Sequence, residues 1–256
     1  MTDQLKVPDP VVLTIAGFDP SGGAGIIADI RTSVHFKVRS AAAITSLTLQ
    51  NSKESFGAIH ESARSVRAQV LPIIEEHQIA AVKIGLLPTT EIVLEVARLI
   101  AESVVPAPVI DPVMRATSGY ELVEPDVMET LVTELMPLAR LVTPNISEAE
   151  EMTGLKITGE KEMLLAAARL REIGARAALI KGGHLSNQTS APIDVLDDDG
   201  HVTTFDGEWI AGRNLRGTGC MLSSAIAAGL ARNNSLEESV RAAKSFVAGA
   251  IRQAQD

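Results

Sequence analysis

The chain has 256 residues, of which 46% are hydrophobic and 3% aromatic, and its formal net charge is -9. That is enough apolar material for a sizeable folded core and too much for a disordered chain. The acidic balance repels a phosphate backbone, so nucleic acid is set aside as a partner, and so few aromatics offer no base-stacking platform. Cys220 is the single cysteine, which rules out an internal disulfide and a thiolate zinc cage. Met1 to Pro10 is polar, and no apolar run approaches the length of a membrane span. A cytoplasmic protein with no membrane partner is expected.

The predicted elements alternate between short apolar runs and amphipathic stretches. Val11 to Ala16 reads as a strand, Ala24 to Phe36 as a helix and Ala41 to Leu49 as a strand. Glu61 to His77 has helical spacing of Val66, Val70, Ile73 and Ile74. A strand over Ala80 to Gly85, a helix over Thr89 to Glu102 and a short strand ending at Asp111 follow. Asp126 to Leu138 reads as a helix, Leu141 to Thr143 as a strand, Ser147 to Thr153 and Lys161 to Ile173 as helices, and Ala177 to Lys181 as a strand. The rhythm then changes. Ile193 to Leu196 and Val202 to Phe205 flank the turn residues Asp197 to Gly200, a hairpin pattern. Two helices close the chain, Thr218 to Ala231 and Leu236 to Ala254. Such alternation predicts one α/β domain over 1–256, with a largely parallel sheet covered by helices on both faces. Ligands of these sheets bind outside the carboxyl ends of the strands.

Five segments at those ends carry chemistry. Asp19-Pro-Ser-Gly-Gly-Ala-Gly25 lies between a strand and a helix, where glycines permit close backbone approach to a ligand; a tight connection is the plain structural alternative. Asp111 ends a strand, where a carboxylate can hold Mg²⁺ directly or through water. Asn145 and Glu148 have the spacing of a capping box and also stand where phosphates and a metal would lie. Lys181-Gly-Gly-His184 presents a cation and open backbone. Gly217-Thr-Gly-Cys220 begins a helix rich in small residues. Its unobstructed N–H groups and the positive helix end suit negative charge on a transferring phosphoryl group. Cys220 in that first turn is expected to have a lowered pKa, which would fit it for a base; a buried structural cysteine in a closely packed helix is the plain alternative, and for this residue alone the favoured one. Gly154 to Lys161 imitates a Walker loop, but its lysine comes one residue late and no Ser or Thr follows, so it is set aside.

In this order the segments resemble the ribokinase-like superfamily, and more closely the hydroxymethylpyrimidine/phosphomethylpyrimidine kinases of thiamine synthesis. The resemblance extends from Thr14–Asp29 through Gln50-Asn51, Val82–Gly85, Asp111–Met114, Ser118-Gly119, Thr143–Asn145, Glu148-Ala149 and Lys181–Leu185 to Gly217–Cys220. It implies a three-layer αβα fold, use of ATP and Mg²⁺, a homodimer, and phosphorylation of the aminopyrimidine and then of its monophosphate. It also implies roles. Gly17 and Ala24 close over the pyrimidine, Asp29 and Gln50 make polar contacts with it, and Leu86 and Val113 make apolar ones. Gln50 pairs with the amino-amidine edge. Asn145, Glu148, Lys181 and Gly183 face the nucleotide, and Asp111 with Glu148 the metal. Gly217, Thr218 and Gly219 form the anion hole, and Cys220 takes the alcohol proton.

Departures from that pattern stand at Asn214-Leu215-Arg216, where Asn-Thr-His is usual, and at Thr117, where a lysine is. Leu86 replaces a methionine, Phe18 a small residue, and Arg39-Ser40 a Tyr-Gly pair. Two alternatives remain open at this point: a pyridoxal or pyridoxine kinase, and a catalytically silent small-molecule sensor on the same fold.

Overall fold

The computed structural model describes residues 9–51, 54–116, 118–183, 192–207 and 215–254. Thr117, His184, Leu185 and Asn214, singled out above, lie outside them.

The described residues form a nine-stranded sheet in the order β3-β2-β1-β4-β5-β6-β7-β8-β9. The strands are β1 Val11–Phe18, β2 Arg39–Gln50, β3 Ser55–His60, β4 Ile79–Ile84, β5 Val109–Ile110, β6 Leu141–Val142, β7 Ala177–Lys181, β8 Ile193–Asp198 and β9 His201–Asp206. From β2 to β7 every neighbouring pair is parallel, while β3, β8 and β9 add antiparallel edges. The helices are α1 Gly25–His35, α2 Ala63–Glu76, α3 Thr90–Glu102, α4 Val127–Thr130, α5 Ile146–Thr153, α6 Glu160–Ile173, α7 Thr218–Ala231 and α8 Leu236–Gln253.

Side-chain alternation along the strands builds two cores, as the pleat requires. Leu13 and Ile15 of β1, with Val82 and Ile84 of β4, join Val66, Ile92, Val96 and Leu170 from α2, α3 and α6. Val12 and Ala81 point the other way and join Leu222, Ile226 and Val240 from α7 and α8. Helix α1 packs on α7 on that second face. This is the three-layer αβα arrangement with a largely parallel sheet that the sequence predicted.

Three local readings are corrected. The helix expected over Asp126 to Leu138 is a short α4 followed by a π turn at Leu131–Leu135 and a 3-10 turn at Met136–Leu138. Pro137 has no N–H to continue an α-helical ladder. Strand β3 was not foreseen, because its sequence, Ser-Phe-Gly-Ala-Ile-His, lacks alternation; it forms by antiparallel pairing with β2. The β8–β9 turn is tighter than expected: Asp199 and Gly200, both at positive φ, are its two central residues.

The strand order reverses between β1 and β4, since the chain moves outward through β2 and β3 and then crosses back. A sheet opens a crevice at such a switch point, outside the carboxyl ends of the strands. Gly17, Gln50, Leu86, Asp111, Asn145 and Lys181 all stand at that edge, at or just beyond the ends of β1, β2, β4, β5, β6 and β7.

Candidate active site

Two glycine turns meet at the switch point. Gly25 opens α1 at φ 57°, and a Cβ there would lie 2.2 Å from the Gly17 carbonyl oxygen. Gly217 precedes α7 at φ 74°, and a Cβ there would lie 2.2 Å from the Gly23 carbonyl oxygen. Only glycine fits either position, and together they let the two turns abut. The result is a continuous cavity of about 1510 Å³ that has the first turn of α7 in its wall. That volume exceeds what one small ring needs and suits two ligands side by side.

Of the residues expected at the site, Gly17, Ala24, Gln50, Leu86 and Val113 line one part of this cavity, and Asp111, Asn145, Glu148, Lys181 and Gly183 another. Gly217, Thr218, Gly219 and Cys220 join them. Asp29 is the exception. It is fully buried behind the wall, accepting two hydrogen bonds from Lys83 Nζ at 2.9 and 3.1 Å and one from Ser224 Oγ at 2.7 Å. A carboxylate so enclosed is satisfied by the protein, so its expected contact with a ligand is replaced by a contact with Lys83, which does line the cavity. Burial works against the Lys83 ammonium, but the charges of Asp29, Cys220 and Asp111 outweigh it and hold its pKa above the ordinary lysine value.

At the α7 end, Lys181 Nζ donates to Asp111 Oδ1 at 3.0 Å. Burial again opposes the ammonium, and Asp111 and Glu148 hold its pKa high. A Cβ added at Gly219 would lie 3.3 Å from Lys181 Nζ and 3.5 Å from Asp111 Oδ2. The bare backbone of the helix start therefore faces a cation and a carboxylate across a gap of side-chain size. Asp111 Oδ1 is taken up by Lys181, whereas Oδ2 has only a long 3.5 Å contact from Ser223 Oγ. Asn145 and Glu148 form the capping box of α5: Asn145 Oδ1 accepts from the Glu148 N–H at 2.9 Å, and Glu148 Oε2 accepts from the Asn145 N–H at 2.8 Å. Burial pushes the Glu148 carboxyl up to about 7, with Asp111 adding to the rise and Lys181 opposing it. The capping role and the position at the cavity are thus both present.

Cys220 departs from expectation. Desolvation pushes its thiol up to about 11; Lys83 and the Gly25 N–H work the other way without overcoming it. The helix N-terminus does not make it a ready thiolate.

Among the described residues no group of three or more His, Cys, Asp or Glu side chains is placed to hold a metal. Asp111 and Glu148 both line the cavity, and Asp111 Oδ2 carries no contact among the described residues beyond the long one from Ser223, so a carboxylate oxygen is open to a cation there.

A sequence model of the phosphomethylpyrimidine kinase family matches residues 19–256. The chain belongs to that family. Its relatives include the hydroxymethylpyrimidine/phosphomethylpyrimidine kinase of Streptomyces coelicolor, 39% identical over 96% of this chain and 90% of the relative. The crystal structure of phosphomethylpyrimidine kinase from Clostridium difficile 630 superposes with a TM-score of 0.84 at 35% identity, covering 94% of this chain and 99% of that one. An ADP complex of Bacillus subtilis pyridoxal kinase superposes with a TM-score of 0.85 at 32% identity, covering 93% and 90%.

This phosphomethylpyrimidine kinase family member also has cavity-lining residues to which motif reading gave no individual role. Lys83 was legible as a lysine within an apolar strand, a position that demands a buried partner. Asp19 lines the cavity, and its Oδ2, though buried, has no hydrogen-bond partner among the described residues. Lys156 and Thr158, in the connection set aside as a false Walker loop, also line the cavity. Only the folded chain shows that proximity.

Proposed function

We propose that the chain transfers the γ-phosphoryl group of ATP to the hydroxymethyl group of the aminopyrimidine precursor of thiamine, and then phosphorylates the monophosphate. The observation that carries this reading is the continuous cavity in which the Gly217-Thr-Gly start of α7, with Lys181 beside Gly219, stands next to a pocket of Gly17, Ala24, Leu86 and Val113. A nucleotide triphosphate lies toward Asn145, Glu148, Lys181 and Gly183, and the ring toward Gln50 and Leu86. The alcohol oxygen attacks the γ-phosphorus, the bond to the bridging oxygen breaks and ADP leaves. The N–H groups of Gly217, Thr218 and Gly219 and the ammonium of Lys181 meet the charge on the moving phosphoryl. Mg²⁺ held by Asp111 and Glu148 would neutralise phosphate charge. A thiol at about 11 is protonated at neutral pH, so the alcohol proton leaves late, as the new bond forms, and passes to an oxygen of the transferred phosphoryl group or to water. Loose phosphoryl transfer tolerates this, since positioning and charge carry most of the catalysis.

Phosphorus NMR of protein, ATP, Mg²⁺ and millimolar hydroxymethylpyrimidine tests the reading. The monophosphate and then the diphosphate are expected; folded protein that yields neither overturns it. The likeness to pyridoxal kinase supports a second reading, and faster turnover of pyridoxal in the same assay would replace the first.

We propose a cytoplasmic location; separately, no helix among the described residues is long and apolar enough to cross a membrane. A homodimer is part of the same proposal. Leu47, Leu49 and Ile59 are exposed on one face of the β2–β3 hairpin, an apolar surface suited to a second copy.

A further inference from the structure

Arg216 precedes the Gly217 turn, yet its guanidinium reaches back over the pocket to the end of β2. Nη2 donates to Gln50 Oε1 at 2.8 Å, and Nη1 donates to the Asn51 carbonyl oxygen. Nη2 also lies 3.9 Å from Asp19 Oδ2, so one side chain ties the α7 turn to the β2 end and faces the glycine turn after β1. Ser55 Oγ donates to the same Gln50 Oε1 at 3.0 Å. A carbonyl oxygen has two lone pairs, and both are now engaged. The orientation of the amide is fixed by chemistry, because a guanidinium only donates and must face the oxygen. That leaves Nε2, a pure donor, as the amide atom of Gln50 still able to serve a ligand in the cavity that both residues line.

We propose that Arg216 is a specificity-determining positioning residue: by holding the Gln50 oxygen, it makes the amide read an acceptor on the ligand ring, a ring nitrogen, and leaves an exocyclic amino donor unread at this position. This rests on the cavity taking a small heterocyclic alcohol, and it revises the expectation that Gln50 pairs with a full amino-amidine edge, which needs its oxygen as well as its nitrogen. The site consequently accepts rings with a nitrogen acceptor at this edge whether or not an amino group stands beside it.

The test compares kcat/KM for hydroxymethylpyrimidine and for the analogue lacking the exocyclic amino group. Arg216→Ala frees Oε1 to accept from the amino group, so the ratio of amino to desamino compound rises about tenfold, the worth of one hydrogen bond, while KM for ATP stays put. Arg216→Lys, which can still donate to Oε1, keeps the ratio near that of the parent. In a Gln50→Leu background Arg216→Ala leaves the ratio unmoved, since a residue acting through another is non-additive with it. A ratio unchanged by Arg216→Ala, or changed equally in both backgrounds, overturns the proposal. If the parent protein phosphorylates neither alcohol, the proposed function fails separately. The clamp is then decided by side-chain amide NMR of Gln50, whose resonances shift in Arg216→Ala if Arg216 holds the oxygen and coincide with the parent's if it does not.

Discussion

Two lysine–aspartate pairs stand along the same sheet and differ in one respect. Lys83 and Asp29 have side chains 0% exposed, and both carboxylate oxygens are bonded by the lysine, with Ser224 added. Lys181 and Asp111 are 17% and 3% exposed, and only one carboxylate oxygen is bonded by the lysine. Both lysines line the cavity, but Lys83 lies within β4, where Asp29 of α1 and Ser224 of α7 close round the pair, whereas Lys181 is the last residue of β7, at the open edge of the sheet. A closed pair is structural, because exchanging its partner would leave a buried charge alone. An open pair keeps donors and an oxygen for a ligand.

Breaking the closed pair should have the largest effect. Lys83→Met leaves Asp29 buried without its cation, at a cost of roughly 3–5 kcal/mol. Urea unfolding of the variant should show this loss, and the Lys83→Met/Asp29→Leu double variant should recover most of it. If Lys83→Met alone unfolds like the parent, the pair is not structural.

Breaking the open pair should separate activity from stability. Lys181→Met removes a cation next to the helix start, and kcat should fall by roughly 10²–10³, the usual effect of losing one transition-state donor. Asp111 retains Thr143 and Ser223 and an open side, so unfolding should shift clearly less than for Lys83→Met. Equal losses of stability in the two variants would erase the distinction.

The smallest expected effect sharpens the picture of the open end. The folded-state pKa of Glu148 is raised from 4.5 to about 7. A raised carboxyl contributes stability that is full below the unfolded value and is lost as pH climbs through the folded one. In protein free of nucleotide and metal, the melting temperature should therefore fall as pH rises through that window. Glu148→Gln keeps a capping amide and should flatten the fall by about 2–4 °C for each kcal/mol involved. Parallel melting curves for parent and variant across the window would show that Glu148 is solvated at its ordinary pKa.

The site was legible in the sequence wherever a residue type can act from only a few kinds of position. Gly217 and Gly219, the acids Asp111 and Glu148, and the strand-end lysine Lys181 could be expected at the cavity because strand ends and helix starts are local features that spacing exposes, whereas Gly17 came from the family resemblance; all of them line the cavity. Asp29 was misplaced because the motif that holds it does not reveal which way α1 turns; the fold turns it toward Lys83 and Ser224. The Cys220 expectation failed for a related reason. A helix N-terminus lowers a thiol pKa by a short-range effect, and here desolvation of the thiol is stronger.

By itself the sequence determined the αβα layering and the edge at which ligands bind, because alternating strand and helix patterns in a right-handed parallel arrangement leave few topologies and only one open end. It also determined the family, through the order of its turns. Only the tertiary structure decided which charges face a ligand and which face each other. Residues 29 and 83, 111 and 181, and 50 and 216 are far apart in the chain, and no local pattern records the distance between them. The same lysine type thus stands in a closed pair at Lys83 and an open one at Lys181, and Arg216, a departure from the family pattern, settles which atoms of Gln50 remain for the ligand.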